Sequence, residues 1–483
     1  MSMRTASDAG LAPGALRPVN VLAIAVSAIS PTTSVFLIYG SGLGSAGTGV
    51  VWAFVIGAVI AMAMALCYAE SGSLFPSAGG AYTIVRRALG PVLGGVAAVL
   101  FLLLGVVSTA SILTASATYL TGPSGLLHGR LPVGWTALAM MVLVTLLSVG
   151  RISPASWVAG AMLLLELAVI GVFTAFAFAH PTPGSHPFTH PVIPVHGGSE
   201  AVTAGPAALL AAVVPALFAF NGYDWPLYFA EESRGPRRTL PRAVVWAAGI
   251  SVVVELLAVV AATYAVGDLA TTSASDAPLS LIARTAMGPT GATVLLAGVV
   301  VAMFDTGLAG NLGYARIYYA AARDGMLPGP LGRFFAYTSA GSRVPVGGFA
   351  FLFVGNGVLC VFTSLDGLIT FTGVVIVTIY LLVAVSALVC RIRGRRGGTD
   401  PADPADPTDP RAPFRMPLWP LPPLIAVAGV ILALSQQDAR DLIIAFGLAA
   451  AACAGYVAVR RRLTGAATCR QDMGINREVP NSH

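Results

Sequence analysis

An all-α integral membrane protein of twelve spanning helices is the fold class that this sequence predicts, and three observations predict it. Only 10% of the 483 residues are charged while 56% are hydrophobic, and the mean hydropathy is +0.81. Soluble domains carry roughly 25% charged residues, so this chain lacks the charge to coat an ordinary globular surface. The apolar residues fall into runs of about 20, the length a helix needs to cross the bilayer core. The basic residues, all arginine, gather between alternate runs. A soluble enzyme is thereby excluded. The absence of lysine removes Schiff-base and P-loop chemistry. The net charge of +6 is spread between apolar runs and not collected in one patch, which points to a lipid bilayer as partner and away from nucleic acid.

Taken in order, residues 1–18 form a short tail with Arg4 and Arg17 but no cleavable signal pattern. Spanning segments follow near 19–45, 49–69, 90–120, 132–150 and 154–179, and then 204–231, 241–266, 288–320, 346–364 and 367–390. Residues 391–416 carry the repeat Asp400-Pro401-Ala402-Asp403-Pro404-Ala405-Asp406-Pro407, where a proline at every third position forbids helix and sheet and predicts an extended tether. Two last segments, 417–435 and 441–460, precede a tail over 461–483. With the N-terminus inside, every arginine except Arg130, Arg284 and Arg440 falls at an internal loop, tail or helix end. That bias predicts both termini in the cytoplasm and an even helix count. The five cysteines are widely spaced with no CxxC pair, which argues against structural disulfides and zinc.

Segments 1 and 6 are interrupted. In segment 1, Ala28-Ile29-Ser30-Pro31-Thr32-Thr33-Ser34 places a proline, which has no amide proton and crowds the carbonyl of Ser27, beside a group of hydroxyls. In segment 6, Phe218-Ala219-Phe220-Asn221-Gly222-Tyr223-Asp224-Trp225-Pro226 repeats the device, with Pro226 stripping the helical bond from the Gly222 carbonyl and Gly222 giving backbone freedom. Exposed backbone polar groups at mid-bilayer are tolerated where they face a cavity or solute. Interruptions five helices apart, at matching positions of two halves, point to a secondary transporter of inverted repeats over 19–180 and 204–390, with helices 11 and 12 peripheral. A structural proline kink is the plainer reading of either break alone.

Three longer motifs carry a resemblance. Tyr68-Ala69-Glu70-Ser71-Gly72-Ser73-Leu74-Phe75-Pro76-Ser77-Ala78-Gly79-Gly80-Ala81-Tyr82 resembles the loop between helices 2 and 3 of the amino acid/polyamine/organocation (APC) transporter superfamily. The helix 6 sequence, followed by Glu231-Glu232-Ser233-Arg234-Gly235-Pro236-Arg237-Arg238-Thr239-Leu240-Pro241, resembles that superfamily's helix 6 and next loop. Ala322-Arg323-Asp324-Gly325-Met326-Leu327-Pro328 is similar to the end of its helix 8. The resemblance, of the amino acid permease type, covers about residues 19–345. It implies a LeuT-like five-plus-five core with discontinuous helices 1 and 6. It implies alternating access at a plasma-membrane site, and uptake or exchange of an amino acid or amine coupled to H+ or Na+, with no other cofactor. Many members have a small glycine-rich turn in helix 1 that receives a substrate carboxylate. This chain has Thr32-Thr33-Ser34, whose hydroxyls and amides can bind a carboxylate in a narrower space.

Four acids fall inside the expected spans: Glu166, Asp224, Glu255 and Asp305. An ionised carboxylate at a helix centre costs about 2.5 to 3.5 kcal/mol on insertion scales, and no arginine lies at comparable depth, so protonation, water or a bound cation must compensate. Asp224 follows the helix 6 break and is the first choice for contact with substrate or proton, against a structural bond to unwound backbone. Asp305 and Thr306 offer adjacent hard oxygens for a cation, or a neutral hydrogen-bonded carboxyl. By resemblance Glu166 stands where some members carry a lysine in the sodium site, so a cation or titrating proton takes that place here. Glu255 lies outside the usual site and reads as a protonated carboxyl in a helix contact.

Candidate substrate-site residues are therefore Ser30, Thr32, Thr33, Ser34, Phe218, Asn221, Gly222, Tyr223, Asp224, Gly310 and Asn311, with Phe218 as gate. Gly310 and Asn311 serve either the cavity or helix packing, and Phe220 and Trp225 read equally as packing residues. Three other patterns carry less. Gly42-Leu43-Gly44-Ser45-Ala46-Gly47 fits a dinucleotide fingerprint but follows no strand. Asp224 and Asp268 lie too far apart in depth to form a protease pair. His180, His186, His190 and His196 sit in a proline-rich loop with no enforced ligand spacing.

Overall fold

The computed structural model describes residues 17–457 except 78, 150–155, 184–185, 195–200, 231–232, 328, 339–344, 396–413, 441, 445, 448–449, 452 and 456. The Asp-Pro repeat, Glu231, Glu232, His196 and both distal tails lie outside the described residues. The chain is built almost wholly of helix. Its first half contains α1 (Pro18–Ile29), α2 (Pro31–Ala46), α3 (Val50–Leu74), α4 (Gly80–Leu89), α5 (Pro91–Thr121), α6 (Val133–Val149) and α7 (Ser156–Ala179). The second contains α8 (Pro206–Ala211), α9 (Val213–Ala219), α10 (Trp225–Tyr228), α11 (Pro236–Tyr264), α12 (Leu269–Ser273), α13 (Pro278–Arg323), α14 (Gly329–Ala336), α15 (Val346–Phe362) and α16 (Leu365–Arg395), with α17 (Leu421–Leu434) after them. A two-stranded antiparallel ribbon, β1 (Val192–Pro194) and β2 (Ala201–Thr203), lies in the loop between α7 and α8.

Six helical stretches among the described residues are long and apolar enough to cross a membrane, and four shorter apolar helices accompany them. The first stretch, Val21–Leu74, holds 54 residues and would run about 80 Å if straight, more than twice the hydrocarbon core, so it folds back on itself. The expected segments 19–45 and 49–69 are its two limbs. The expected segment 441–460 is described only in pieces up to residue 457.

Both interruptions are present. Between α1 and α2, Ser30 adopts φ 49° and ψ 78°, a left-handed conformation unusual for a residue with a side chain. Pro31 then occupies the first position of α2, where its missing amide proton is no loss. Segment 6 is more broken than the single interruption expected. It divides into α8, α9 and the one-turn α10, with Phe220–Asp224 in turns. The Gly222 carbonyl, denied its i+4 donor by Pro226, accepts instead from the Trp225 amide at 3.0 Å, so it is not left exposed. The eighth segment also begins as expected, because α13 has a kink at Gly288, φ 73°, immediately before Pro289.

Two of the long motifs meet in space. The hydroxyl of Tyr82, in α4, donates to Asp324 Oδ2 at the end of α13 over 2.9 Å. Nearby, the Glu70 carboxylate binds Arg391 Nη1 at 2.7 and 2.9 Å and accepts the Met416 amide at 2.8 Å. The Arg391 guanidinium also lies 5.0 Å from the centroid of the Trp419 ring. Glu70 thus ties α3, α16 and the segment leading to α17 into one knot. The pair is largely buried, with side-chain exposures of 7% for Glu70 and 19% for Arg391. Removing one partner of a buried pair strands the other charge and costs about 3 kcal/mol or more. Glu70→Ala and Arg391→Ala are each expected to lower the unfolding midpoint of the purified protein markedly, with the double variant little worse than either. Equal and additive small shifts would show that the knot contributes nothing.

Candidate functional site

The two broken helices touch at their breaks. Gly222 sits at φ 123°, and a Cβ built there would lie 2.9 Å from the Cα of Ile29 and 3.0 Å from its amide nitrogen. Only glycine combines that conformation with that approach. The Ser34 hydroxyl lies 2.9 Å from the Ile29 carbonyl and 2.8 Å from the Ala219 carbonyl, so its proton is shared between backbone groups of both breaks.

Two small cavities flank this contact. The larger, about 40 Å³, is lined by Thr33, Ser34 and Leu37 of α2, Ser108 and Ile112 of α5, Phe218 and Asn221 of segment 6, and Thr306 and Gly310 of α13, among others. The smaller, about 10 Å³, is lined by Tyr68, Phe101, Asp224, Tyr228, Ile376 and Tyr380, with further residues from the same helices. Asn221, Trp225 and Tyr314 line both and form the wall between them. The Trp225 indole lies on Gly313, where an added Cβ would collide with the ring, so the glycine clears the space for the wall. The larger cavity exceeds what one water requires and has room for a few. A solute of amino acid size needs these walls to part.

The candidate residues divide between lining and support. Thr33, Ser34, Phe218, Asn221, Thr306 and Gly310 line the larger cavity, and Asn221 and Asp224 line the smaller. Ser30 and Thr32 do not. The Ser30 hydroxyl donates to Thr33 Oγ1 at 2.8 Å, and Thr33 Oγ1 lies 2.9 Å from Thr306 Oγ1, which joins α2 to α13 through hydroxyls. The Thr32 hydroxyl donates to the Glu166 carbonyl at 2.6 Å, tying α2 to α7. Asn311, read as serving either the cavity or helix packing, takes the second place: it is fully buried and its Nδ2 donates to Ser148 Oγ of α6 at 2.9 Å. The side chain at 311 is turned about 100° around the helix from Gly310, enough to face a different neighbour. Tyr223 is likewise buried behind the break, 5.9 Å ring to ring from Tyr380.

The acids are equally distinct. Asp224 is 5% exposed and accepts the Tyr228 hydroxyl on Oδ2 at 2.7 Å. Glu166 and Glu255 are fully buried; the Glu255 carboxyl has no hydrogen-bond partner among the described residues, whereas the Glu166 carboxyl lies beside the Ser30 hydroxyl of the first break. Asp305 is partly exposed on α13, one residue before Thr306 in the chain. Asp268 belongs to none of this. It caps the N-terminus of α12, and hydrogen bonds from the Thr271 hydroxyl and then the Ala270 amide hold its carboxyl below the ordinary value. A proton shared with Asp224 is foreign to such a group.

Several lining residues went unnoticed in the sequence. Tyr68, Tyr228, Tyr314 and Tyr380 come from four separate helices, and only their convergence makes them a set. The available signal was a polar hydroxyl inside an otherwise apolar run, strongest at Tyr380.

Paired breaks, a cavity between them and motifs that meet across the molecule describe the site, and a family comparison decides what the chain belongs to. The model of the family described as amino acid permease matches residues 16–459. The chain belongs to that family. The APC resemblance read from three motifs therefore holds over nearly the whole chain, and the apolar helices fit a multi-pass membrane protein. A branched-chain amino acid permease, BcaP, of Bacillus subtilis is 25% identical over 62% of this chain and 65% of its own length, just under two thirds. BcaP of Lactococcus lactis is 25% identical over 65% of this chain and 69% of its own. Cationic amino acid transporter 5 of Arabidopsis thaliana is 23% identical over 72% of this chain and 60% of its own.

Proposed function

We propose that this permease is a secondary active transporter that moves an amino acid across the plasma membrane by alternating access, driven by a proton or cation gradient. The observation that carries the reading is the larger cavity, walled by both interrupted helices at once. Thr33 and Ser34 supply hydroxyls from one break, Phe218 and Asn221 a ring and an amide from the other. Helix breaks expose backbone groups that an amino acid's charged ends can use, and a solute held between two helices is released when they separate. The relatives' names, branched-chain amino acid permease and cationic amino acid transporter, support an amino acid as cargo.

In this reading twelve helices span the membrane, ten of them in a five-plus-five inverted repeat of LeuT type with helices 11 and 12 at the periphery. Both termini are cytoplasmic, on the arginine-rich side. Phe218 is the gate. Glu166, Asp305 and Thr306 form the coupling region, since Thr33 and Thr306 bridge α2 to α13 and Thr32 bridges α2 to α7, so occupancy by H+ or Na+ bears on the same helix that binds substrate. Asp224 contacts the substrate or the coupling proton.

Purified protein in proteoliposomes is expected to accumulate a radiolabelled amino acid saturably, and only under an imposed proton or sodium gradient. Asp224→Asn is expected to abolish or uncouple that accumulation. Binding without accumulation would mark a receptor, and flux that never saturates would mark a channel. An amine or polyamine as cargo is the second reading, favoured by Asp224 facing a cavity that no basic residue lines among the described residues.

A further inference from the structure

We infer an anionic phospholipid site at the corner where α4, α5 and α16 meet on the arginine-bearing side, with Arg86 and Arg393 as its headgroup ligands. α4 ends at Leu89 and the chain turns back at once. Gly90 takes φ 99°, its amide closes α4 on the Arg86 carbonyl at 3.0 Å, and Pro91 opens α5. The turn is so tight that a Cβ added at Gly94 would collide with the Arg86 Cβ, so the Arg86 stem lies on the first turn of α5. From the other side Arg393, in the last turn of α16, donates from Nη1 to the Ala88 carbonyl at 2.7 Å. That bond fastens one arginine two residues along α4 from the other.

The corner carries charge without compensation. Arg86 and Arg393 are exposed, and among the described residues no acid pairs with either. Glu70 and Asp324, the acids described at the ends of α3 and α13, are already taken, the first by Arg391 and the Met416 amide, the second by Tyr82 and Arg323. Arg393 spends one N–H on Ala88, and a guanidinium has several more to give. Its planar fork matches phosphate oxygens two at a time, which an exposed ammonium does not.

The flank distinguishes a lipid from a free anion. Leu93, on the turn of α5 that carries the Arg86 stem, is 37% exposed, and Ile392, next to Arg393, is 44% exposed. Bare apolar side chains beside two arginines suit acyl chains beneath a phosphate, whereas a soluble anion has no use for them. α4 divides in the same way, with Ala81, Ile84, Val85 and Ala88 buried and Arg86 exposed, as in a helix lying at a membrane surface. A headgroup seated here bridges α4 to α16 beside the Arg393 bond. α4 is also tied to α13 through Tyr82 and Asp324, so occupancy of the corner bears on two helices, α13 and α16, that wall the cavities. The site goes beyond the transport reading and does not depend on it.

Titration of the purified full-length protein with phosphatidylglycerol or phosphatidylcholine, followed by native mass spectrometry, tests it. One phosphatidylglycerol is expected to be retained about tenfold more tightly than phosphatidylcholine, as two arginines beside an anionic headgroup allow. Arg86→Gln with Arg393→Gln is expected to remove that preference. Arg242→Gln with Arg333→Gln deletes two exposed charges elsewhere and is expected to leave it. Equal losses in the two double variants would show attraction to overall charge and overturn the site, as would equal retention of both lipids by the unaltered chain. Displacement of bound phosphatidylglycerol by millimolar inorganic phosphate would mark a soluble-anion site and overturn the lipid. If the first double variant fails to fold, phosphatidylglycerol with a photoreactive acyl chain locates the site on the unaltered chain. Labelled peptides from 86–94 and 388–395 support it, and labelling confined to other arginine-bearing loops overturns it.

Discussion

Gly222→Val is expected to eliminate uptake while leaving the chain in the membrane. Valine is disfavoured twice at that position. Left-handed backbone costs a residue with a side chain about 1–2 kcal/mol, and a β-branched residue more. Its Cβ would also press within 2.9 Å of the Ile29 backbone, which cannot yield as a flexible side chain can. The two breaks must then separate. A displacement costing about 3 kcal/mol corresponds to a loss of roughly a hundredfold in the population able to bind. Uptake into proteoliposomes measures it, with Gly249→Ala as a control, since no atom lies within 4 Å of a Cβ built at Gly249. Parent-level uptake by Gly222→Val would remove the contact between breaks from the binding site.

Glu166→Gln is expected to abolish accumulation against a gradient and to spare exchange of labelled for unlabelled substrate. Glu166 is 1% exposed, its carboxyl lies beside the Ser30 hydroxyl, and its backbone carbonyl holds Thr32 of the broken first segment. Glutamine keeps the shape and that carbonyl, but it neither titrates nor attracts a cation. A tenfold concentration ratio corresponds to about 1.4 kcal/mol of coupling, so an inside-to-outside ratio falling to unity reports the loss directly. Accumulation equal to the parent's would free Glu166 from coupling and leave Asp305 as the candidate. Glu255→Gln provides the comparison, an equally buried carboxyl on α11 placed outside the site.

How much of this was legible in sequence is clearest at the breaks. Pro31 and Pro226 announce themselves, because a missing amide proton interrupts a helix wherever it falls and hydropathy locates it in depth. The left-handed turn fell on Ser30, one residue before the proline, and segment 6 broke into three pieces, since local signals mark an interruption without fixing which residues absorb it. Thr33, Ser34, Phe218 and Asn221 were identified by lying at a break. Between cavity and packing the sequence left Asn311 open, because adjacency to Gly310 along the chain says nothing of facing.

Legible in one dimension are an apolar chain with too few charges for a soluble protein, arginines gathered between apolar runs, two interrupted segments, and four acids inside apolar runs. Hydrophobic transfer and the missing proline donor act residue by residue and need no fold. Only the tertiary structure decided which of those acids face a cavity. It gave Asp224 its ring of tyrosines from four helices, closed Glu70 onto Arg391 across 321 positions of chain, and brought Gly222 against Ile29. Such pairings arise from the packing of distant helices, and side chains a few residues apart on one helix point to different neighbours.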